Sequence, residues 1–169
     1  MDIATTTNVV LLMIATSVLY FLYRIGIFTS VHVVVGKPVI QNAWIAYKYY
    51  TGPYMDCGPA FKDVMKTFPN MTTVGIFYDD PNTTPKEKLR YALGIMMSED
   101  GSPPTENLIA LATSNQYAIM QLPEIKYAVK TKFPHTLDIV PFVAPMKVYP
   151  AMGKYIKVYM LLNITNIAY

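Results

Sequence analysis

The chain has 169 residues, enough for one folded domain with an appendage and too few for two full domains with a linker. Hydrophobic residues make up 53% and charged residues 15%, which excludes a disordered chain and requires part of the surface to sit in lipid or against a partner. The formal charge of +3 is too small and too scattered for a nucleic-acid groove, so no nucleic acid is expected as a partner, and the single cysteine, Cys57, rules out an intrachain disulfide.

Residues 3–23 contain no Asp, Glu, Lys, Arg or His, and the stretch 9–28 is interrupted only by Arg24. As a helix, roughly 20 such residues cover about 30 Å of hydrocarbon. Residues 1–28 are therefore expected to be a transmembrane anchor that meets the lipid bilayer through 9–28. Asn8 can cap the apolar run. Tyr20, Phe21, Tyr23 and Phe28 suit the headgroup interface, where Arg24 can snorkel. A cleaved signal peptide fits less well, because the only charge before the run is Asp2 and no A-x-A-like site follows. With Arg24 and Lys37 after the segment, the positive-inside rule puts the remainder in the cytosol. Sequons at Asn70, Asn82 and Asn163 would then stay unmodified.

Residues 29–37 read as a juxtamembrane linker ending at Gly36-Lys37-Pro38, and 38–169 as an α+β domain. Strict alternation predicts a strand over 42–50, closed by Gly52-Pro53. Gly58-Pro59 opens a helix whose stripe is Ala60, Phe61, Val64, Met65 and Phe68. Strands follow at 72–78 and 89–97, separated by a polar connection at 79–85. Ala92, Gly94 and Met96 give the second strand a small-residue face open to a helix or ligand. This makes one βαββ unit. A helix at 105–114, strands at 117–122 and 127–133, and a helix at 148–158 starting near Pro150 partly repeat it. Ala46-Tyr47-Lys48 is echoed by Ala128-Val129-Lys130. Two related halves sharing one mostly antiparallel sheet are expected.

His32 and His135 have no Cys or carboxylate at ligand spacing, so no metal is expected. Nucleophile-elbow and nucleotide-binding motifs are absent, so neither catalytic residues nor a cofactor is expected. Cys57 precedes a helix, where the dipole can lower a thiol pKa, although a small, partly buried side chain is the simpler reading. The chain has 14 tyrosines, several crowded with Trp44 near the first strand. The cluster fits a core and its rim, or the aromatic wall of a pocket. On the pocket reading, Tyr47, Tyr49, Tyr54, Tyr78 and Glu99 are the candidate ligand-binding residues, the acid meeting a cationic ligand.

The string Gly52-Pro53-Tyr54-Met55-Asp56-Cys57-Gly58-Pro59-Ala60-Phe61 has the form G-x-Y-x-x-x-G-x-x-F. It is followed in order by Gly75-Ile76-Phe77-Tyr78-Asp79-Asp80-Pro81, Arg90-Tyr91-Ala92-Leu93-Gly94-Ile95-Met96-Met97-Ser98-Glu99 and Phe133-Pro134. Over residues 38–156 the chain resembles the membrane-anchored members of the GyrI-like (SOUL-related) family of small-molecule-binding domains. The resemblance implies a duplicated βαββ GyrI-like fold, residence in the endoplasmic-reticulum membrane, and a non-enzymatic adaptor or receptor role in selective autophagy of that organelle. It also implies GABARAP-type ubiquitin-like modifiers as partners, reached through an aromatic-x-x-aliphatic motif in an acidic tail, and valosin-containing protein in DNA–protein crosslink repair. The family continues beyond the position of Ile156 into two strands and that tail. The domain is therefore expected to be incomplete at the C-terminus, as in a truncated or spliced form. The segments 61–64, 155–158 and 159–162 fit the motif but lie in predicted elements without acidic flanks, which favours core. The alternative function is a membrane-tethered small-molecule sensor or hydrolase that uses the GyrI-like cleft; a secreted protein is a third.

Overall fold

The computed structural model describes residues 2–134, 136–137 and 140–166. It is α+β, with a long apolar N-terminal helix and antiparallel sheets. The chain divides into two compact units, Met1–Lys37 with Tyr127–Tyr169, and Pro38–Lys126.

In the first unit, helix α1 spans Ile3–Arg24, and none of its residues is buried. Asn8, expected at the helix start, lies inside it; Asp2 is the cap residue. The helix is 22 residues long, which at 1.5 Å per residue reaches about 33 Å. Several of its hydroxyls bond back to the helix: Thr7 Oγ1 donates to the Ile3 carbonyl at 2.9 Å, Thr16 Oγ1 to Leu12 at 2.9 Å and Ser17 Oγ to Met13 at 2.8 Å. Back-bonding of this kind lets Ser and Thr face hydrocarbon without an unsatisfied donor.

The helix ends sharply. Gly26 takes φ +78°, its N–H bonds the Tyr23 carbonyl, and the Ile27 N–H bonds the Leu22 carbonyl, each at 3.1 Å. This is a Schellman cap, which needs a left-handed residue just past the helix. A side chain at Gly26 would also start 2.8 Å from the Phe133 ring.

Beyond this corner, strand β1 (Val34–Gly36) pairs antiparallel with β6 (Ala128–Lys130), Val35 opposite Val129. Residues 34–36, expected within a linker, are thus a strand, and the strand expected over 127–133 is shorter. Helix α4 (Val140–Asn166) is longer than the expected 148–158 and carries Pro145 and Pro150 in its interior. Each proline withdraws one amide donor, a cost that reads in sequence as a helix boundary. Lys147 of α4 donates its Nζ to the carbonyls of Gly26 (3.2 Å), Thr29 (2.7 Å) and Ile27. One ammonium thereby saturates three acceptors around the corner after α1. His32 is exposed, and its carbonyl accepts the Thr131 hydroxyl at 2.7 Å. The reading of His135 concerns a position outside the described residues.

The second unit holds strands β2 (Trp44–Thr51), β3 (Thr73–Phe77), β4 (Arg90–Ser98) and β5 (Ala118–Gln121), with helices α2 (Gly58–Thr67) and α3 (Glu106–Ser114). The sheet order is β3-β4-β2-β5, antiparallel throughout. The expected β-α-β-β run is present as β2-α2-β3-β4. Cys57, rather than Gly58, caps α2, and Pro59 sits in its first turn. Strand β4 is buried from Tyr91 to Met96, as its central place demands. The core forms on the helix-bearing face from Ala46, Val64, Phe68, Leu93, Ile95 and Tyr117, with others around them. Complete burial of side chains such as Phe68, Leu93 and Ile95 contributes on the order of 2 kcal/mol each.

Two expectations are corrected here. The strands do not share one sheet: β5 joins β2 at an edge, whereas β6 pairs with β1 in the other unit. Nor does the small-residue face of β4 leave Gly94 open to a helix or ligand. Gly94 lies opposite Tyr47, and a Cβ on it would fall 1.8 Å from the Ala46 carbonyl oxygen. The missing side chain admits the neighbouring strand's own backbone.

Helix α3 also closes with a Schellman cap, with Gln116 at φ +62°. The Gln116 N–H bonds Thr113 at 3.0 Å and the Tyr117 N–H bonds Ala112 at 2.9 Å. Buried Ala112 and Tyr117 supply the apolar contact that accompanies such caps.

Candidate functional site

The five tyrosine-site candidates do not converge. Because side chains alternate along β2, Tyr50 joins Ala46 on the helix-facing side, while Tyr47 and Tyr49 project to the opposite side. Tyr54, in the one-turn helix Tyr54–Cys57, packs on the helix-facing side. Its ring meets Phe77 edge-on at 4.8 Å and Tyr91 at 5.7 Å, and Tyr91 stacks on Tyr50 at 5.4 Å. The Tyr54 hydroxyl accepts the Asp79 N–H at 2.9 Å, and its single proton has two acceptors in reach, the Asp79 carbonyl at 2.9 Å and the Arg90 carbonyl at 3.1 Å. Tyr54 is therefore a staple across the ends of β3 and β4.

Tyr78 lies just beyond β3 and packs against Tyr49, ring centroids 6.1 Å apart. Burial pushes the Tyr78 hydroxyl pKa up, and Tyr47 and Tyr49 add to this while Arg90 opposes it. Tyr47, Tyr49 and Tyr78 thus form a real group, with Tyr49 and Tyr78 about half exposed. Glu99 is exposed beyond the far end of β4. Tyr49 pairs with Ala92, which places Glu99 roughly 23 Å further along the strand direction at about 3.3 Å per residue.

The charged groups beside these tyrosines are Asp79 and Arg90; Asp79, in sequence a loop acid expected to be solvated, is instead paired with Arg90. Asp79 Oδ1 accepts Arg90 Nη2 at 2.7 Å, and Oδ2 accepts both Nε at 3.0 Å and the Arg90 backbone N–H at 2.7 Å. The signal was present: the acid lies two residues beyond the end of β3 and the base opens β4, so hairpin pairing brings them together. The Arg90 hydrogen bonds hold the Asp79 carboxyl below the usual aspartate range. A depressed carboxyl stabilises the fold above its unfolded pKa, and that contribution is lost as pH falls through the folded value. The stability difference between the native chain and Asp79→Asn is therefore expected to be full above about pH 4, near the ordinary aspartate pKa, and to vanish in stronger acid. Denaturant titrations across this range will measure it; a difference constant with pH would rule out the ion pair as its source.

No activated nucleophile is apparent at Cys57, because burial, its largest influence, pushes the thiol pKa up. Among the described residues, no three or more His, Cys, Asp or Glu form a group able to hold a metal. Two shallow grooves lie in the unit that carries α1. One is lined by Thr16, Leu19, Tyr20, Tyr23 and Phe28; the other, of about 340 Å³, by Val31, Val33, Ala151, Lys154, Tyr155 and Val158. Neither includes a predicted site residue. At the end of α1, Arg24 lies 5.8 Å over the Tyr20 ring and donates to its hydroxyl at 3.0 Å. The basic and aromatic side chains thus meet where the apolar run stops.

The chain is 36% identical to the Testis-expressed protein 264 homolog of Mus musculus over 132 residues, 78% of this chain and 43% of the relative. It is 30% identical to Testis-expressed protein 264 of Homo sapiens over 146 residues, 86% of this chain and 47% of the relative. The chain is homologous to testis-expressed protein 264. It spans a little under half the length of these testis-expressed protein 264 relatives. It also matches the SPbeta prophage-derived protein YosT of Bacillus subtilis (strain 168), 32% identical over 95 residues, half of this chain and 62% of YosT. No protein-family model matches the chain. The homology to testis-expressed protein 264 together with the exposed apolar helix fits a membrane protein.

Proposed function

We propose that this chain is a single-pass endoplasmic-reticulum membrane protein that holds a GyrI-like domain on the cytosolic side. There it serves as a non-enzymatic adaptor or receptor in selective autophagy of that organelle. The observation that carries the reading is α1: a 22-residue apolar helix with no buried residue, in a chain homologous to testis-expressed protein 264. Orientation follows from Arg24 and Lys37 on the far side of the span from Asp2. GABARAP-type modifiers and valosin-containing protein are the proposed partners.

Docking by strand addition requires an extended backbone and a sheet edge. The aromatic-x-x-aliphatic segments of this chain are helical: 61–64 lies on α2, where Val64 is fully buried, and 155–158 and 159–162 lie on α4. Among the described elements, the edges of the four-stranded sheet are β3 and β5. The small-molecule reading retains support only from Tyr47, Tyr49 and Tyr78, because Tyr54 is a structural staple and Glu99 is remote.

Sealed microsomes test the topology. Protease added outside should degrade Pro38–Lys126, glycosidase should cause no mobility shift, and the solubilised chain should be retained on GABARAP-type modifiers. Sugar on the exposed Asn70 or Asn82 would reverse the orientation and remove these partners from reach.

A further inference from the structure

Charge is divided unevenly between the two units. Met1–Lys37 with Tyr127–Tyr169 carries seven Lys and Arg against two Asp and Glu, whereas Pro38–Lys126 carries seven against nine. From residue 139 onward every charged side chain is a lysine: Lys147, Lys154 and Lys157. The excess of positive charge therefore lies in the unit that contains the apolar helix.

Within that unit, the hydrogen bonds from Lys147 to the carbonyls of Gly26, Ile27 and Thr29 hold α4 beside the end of α1. Lys154 is two turns further along α4, roughly 10 Å at the helical rise. There Val31 and Val33 meet α4 and form the groove of about 340 Å³ lined also by Ala151, Lys154, Tyr155 and Val158. Lys154 and Lys157 are exposed. Lys147 is committed to three carbonyls, but the structure records no salt bridge to Lys154 or Lys157 among the described residues.

We infer that this groove is a site for an anionic phospholipid of the membrane that α1 enters, with an acyl chain along Val31, Val33, Ala151 and Val158 and the phosphate against Lys154. An apolar floor with a lysine at its rim matches an amphiphile of that charge, and anionic leaflets attract basic segments near the membrane surface. The inference rests on the anchor reading of α1.

The test uses the full chain reconstituted in nanodiscs of phosphatidylcholine with or without phosphatidylserine, then released into mild detergent for native mass spectrometry. Phosphatidylserine should remain bound in preference to phosphatidylcholine. Retention should fall at least tenfold in both Lys154→Glu, which reverses the rim charge, and Ala151→Trp, which fills the floor; Lys66→Glu in the other unit should leave it unchanged. Equal retention of both lipids, or undiminished phosphatidylserine in both groove variants, overturns the site. Alkaline carbonate extraction keeps the two readings apart. A chain that washes out of the membrane overturns the anchor, and one that stays while retaining no anionic lipid overturns the lipid site alone.

Discussion

Gly94→Ala is expected to destabilise the Pro38–Lys126 unit by about 3 kcal/mol or more, at the upper end of the cost of overpacking. The new Cβ would fall 1.8 Å from the Ala46 carbonyl oxygen and 2.7 Å from the Ala46 carbonyl carbon and Tyr47 Cα. These are backbone atoms of the adjacent strand, so no rotamer change relieves the clash. Strand β2 must separate from β4, which costs ladder hydrogen bonds on both sides, because β2 also pairs with β5. Trp44, the sole tryptophan, opens β2 and reports the transition by fluorescence. A denaturation midpoint displaced by less than the equivalent of ~1 kcal/mol would mean that the strands do not approach this closely.

The second large effect concerns α1. A lysine at the centre of a membrane helix costs about 3 kcal/mol on insertion scales. Met13→Lys with Ile14→Lys places two charges at the midpoint of Ile3–Arg24, about 15 Å from either end at the helical rise, beyond easy reach of water. The double variant is expected to move from the carbonate-resistant pellet to the soluble fraction, or to be lost during biogenesis. Its Pro38–Lys126 unit should fold normally, because none of the side chains in that unit's core comes from α1. Persistence of the double variant in the pellet would show that something other than α1 holds the chain to membranes.

Much of the second unit was legible from period and punctuation. Alternation over 42–50, the apolar stripe from Ala60 to Phe68 and the turn at Gly52-Pro53 located β2 and α2 to within two residues. What failed was long-range or short. Strands β1 and β6 have three residues each, too few for a period, and pair across most of the chain. Prolines at 145 and 150 read as helix boundaries because their cost is local, whereas α4 tolerates them in its interior. The site was legible only in part. Alternation placed Tyr47 and Tyr49 on one face, but whether Tyr54 shares it depends on how the chain turns at Gly52-Pro53. Hairpin direction, which residue types do not encode, brings Tyr78 beside Tyr49 and carries Glu99 to the opposite end.

The Schellman cap at Gly26 and the Lys147 ammonium on the three following carbonyls have a mechanical consequence. A chain that leaves its last helical turn through a hydrogen-bonded corner cannot swivel freely about the helix axis. The azimuth of α1 therefore fixes the heading of β1 and α4 as well. Any lateral neighbour that grips one side of α1 would, by the same rigid corner, select which flank of the C-terminal helix it meets.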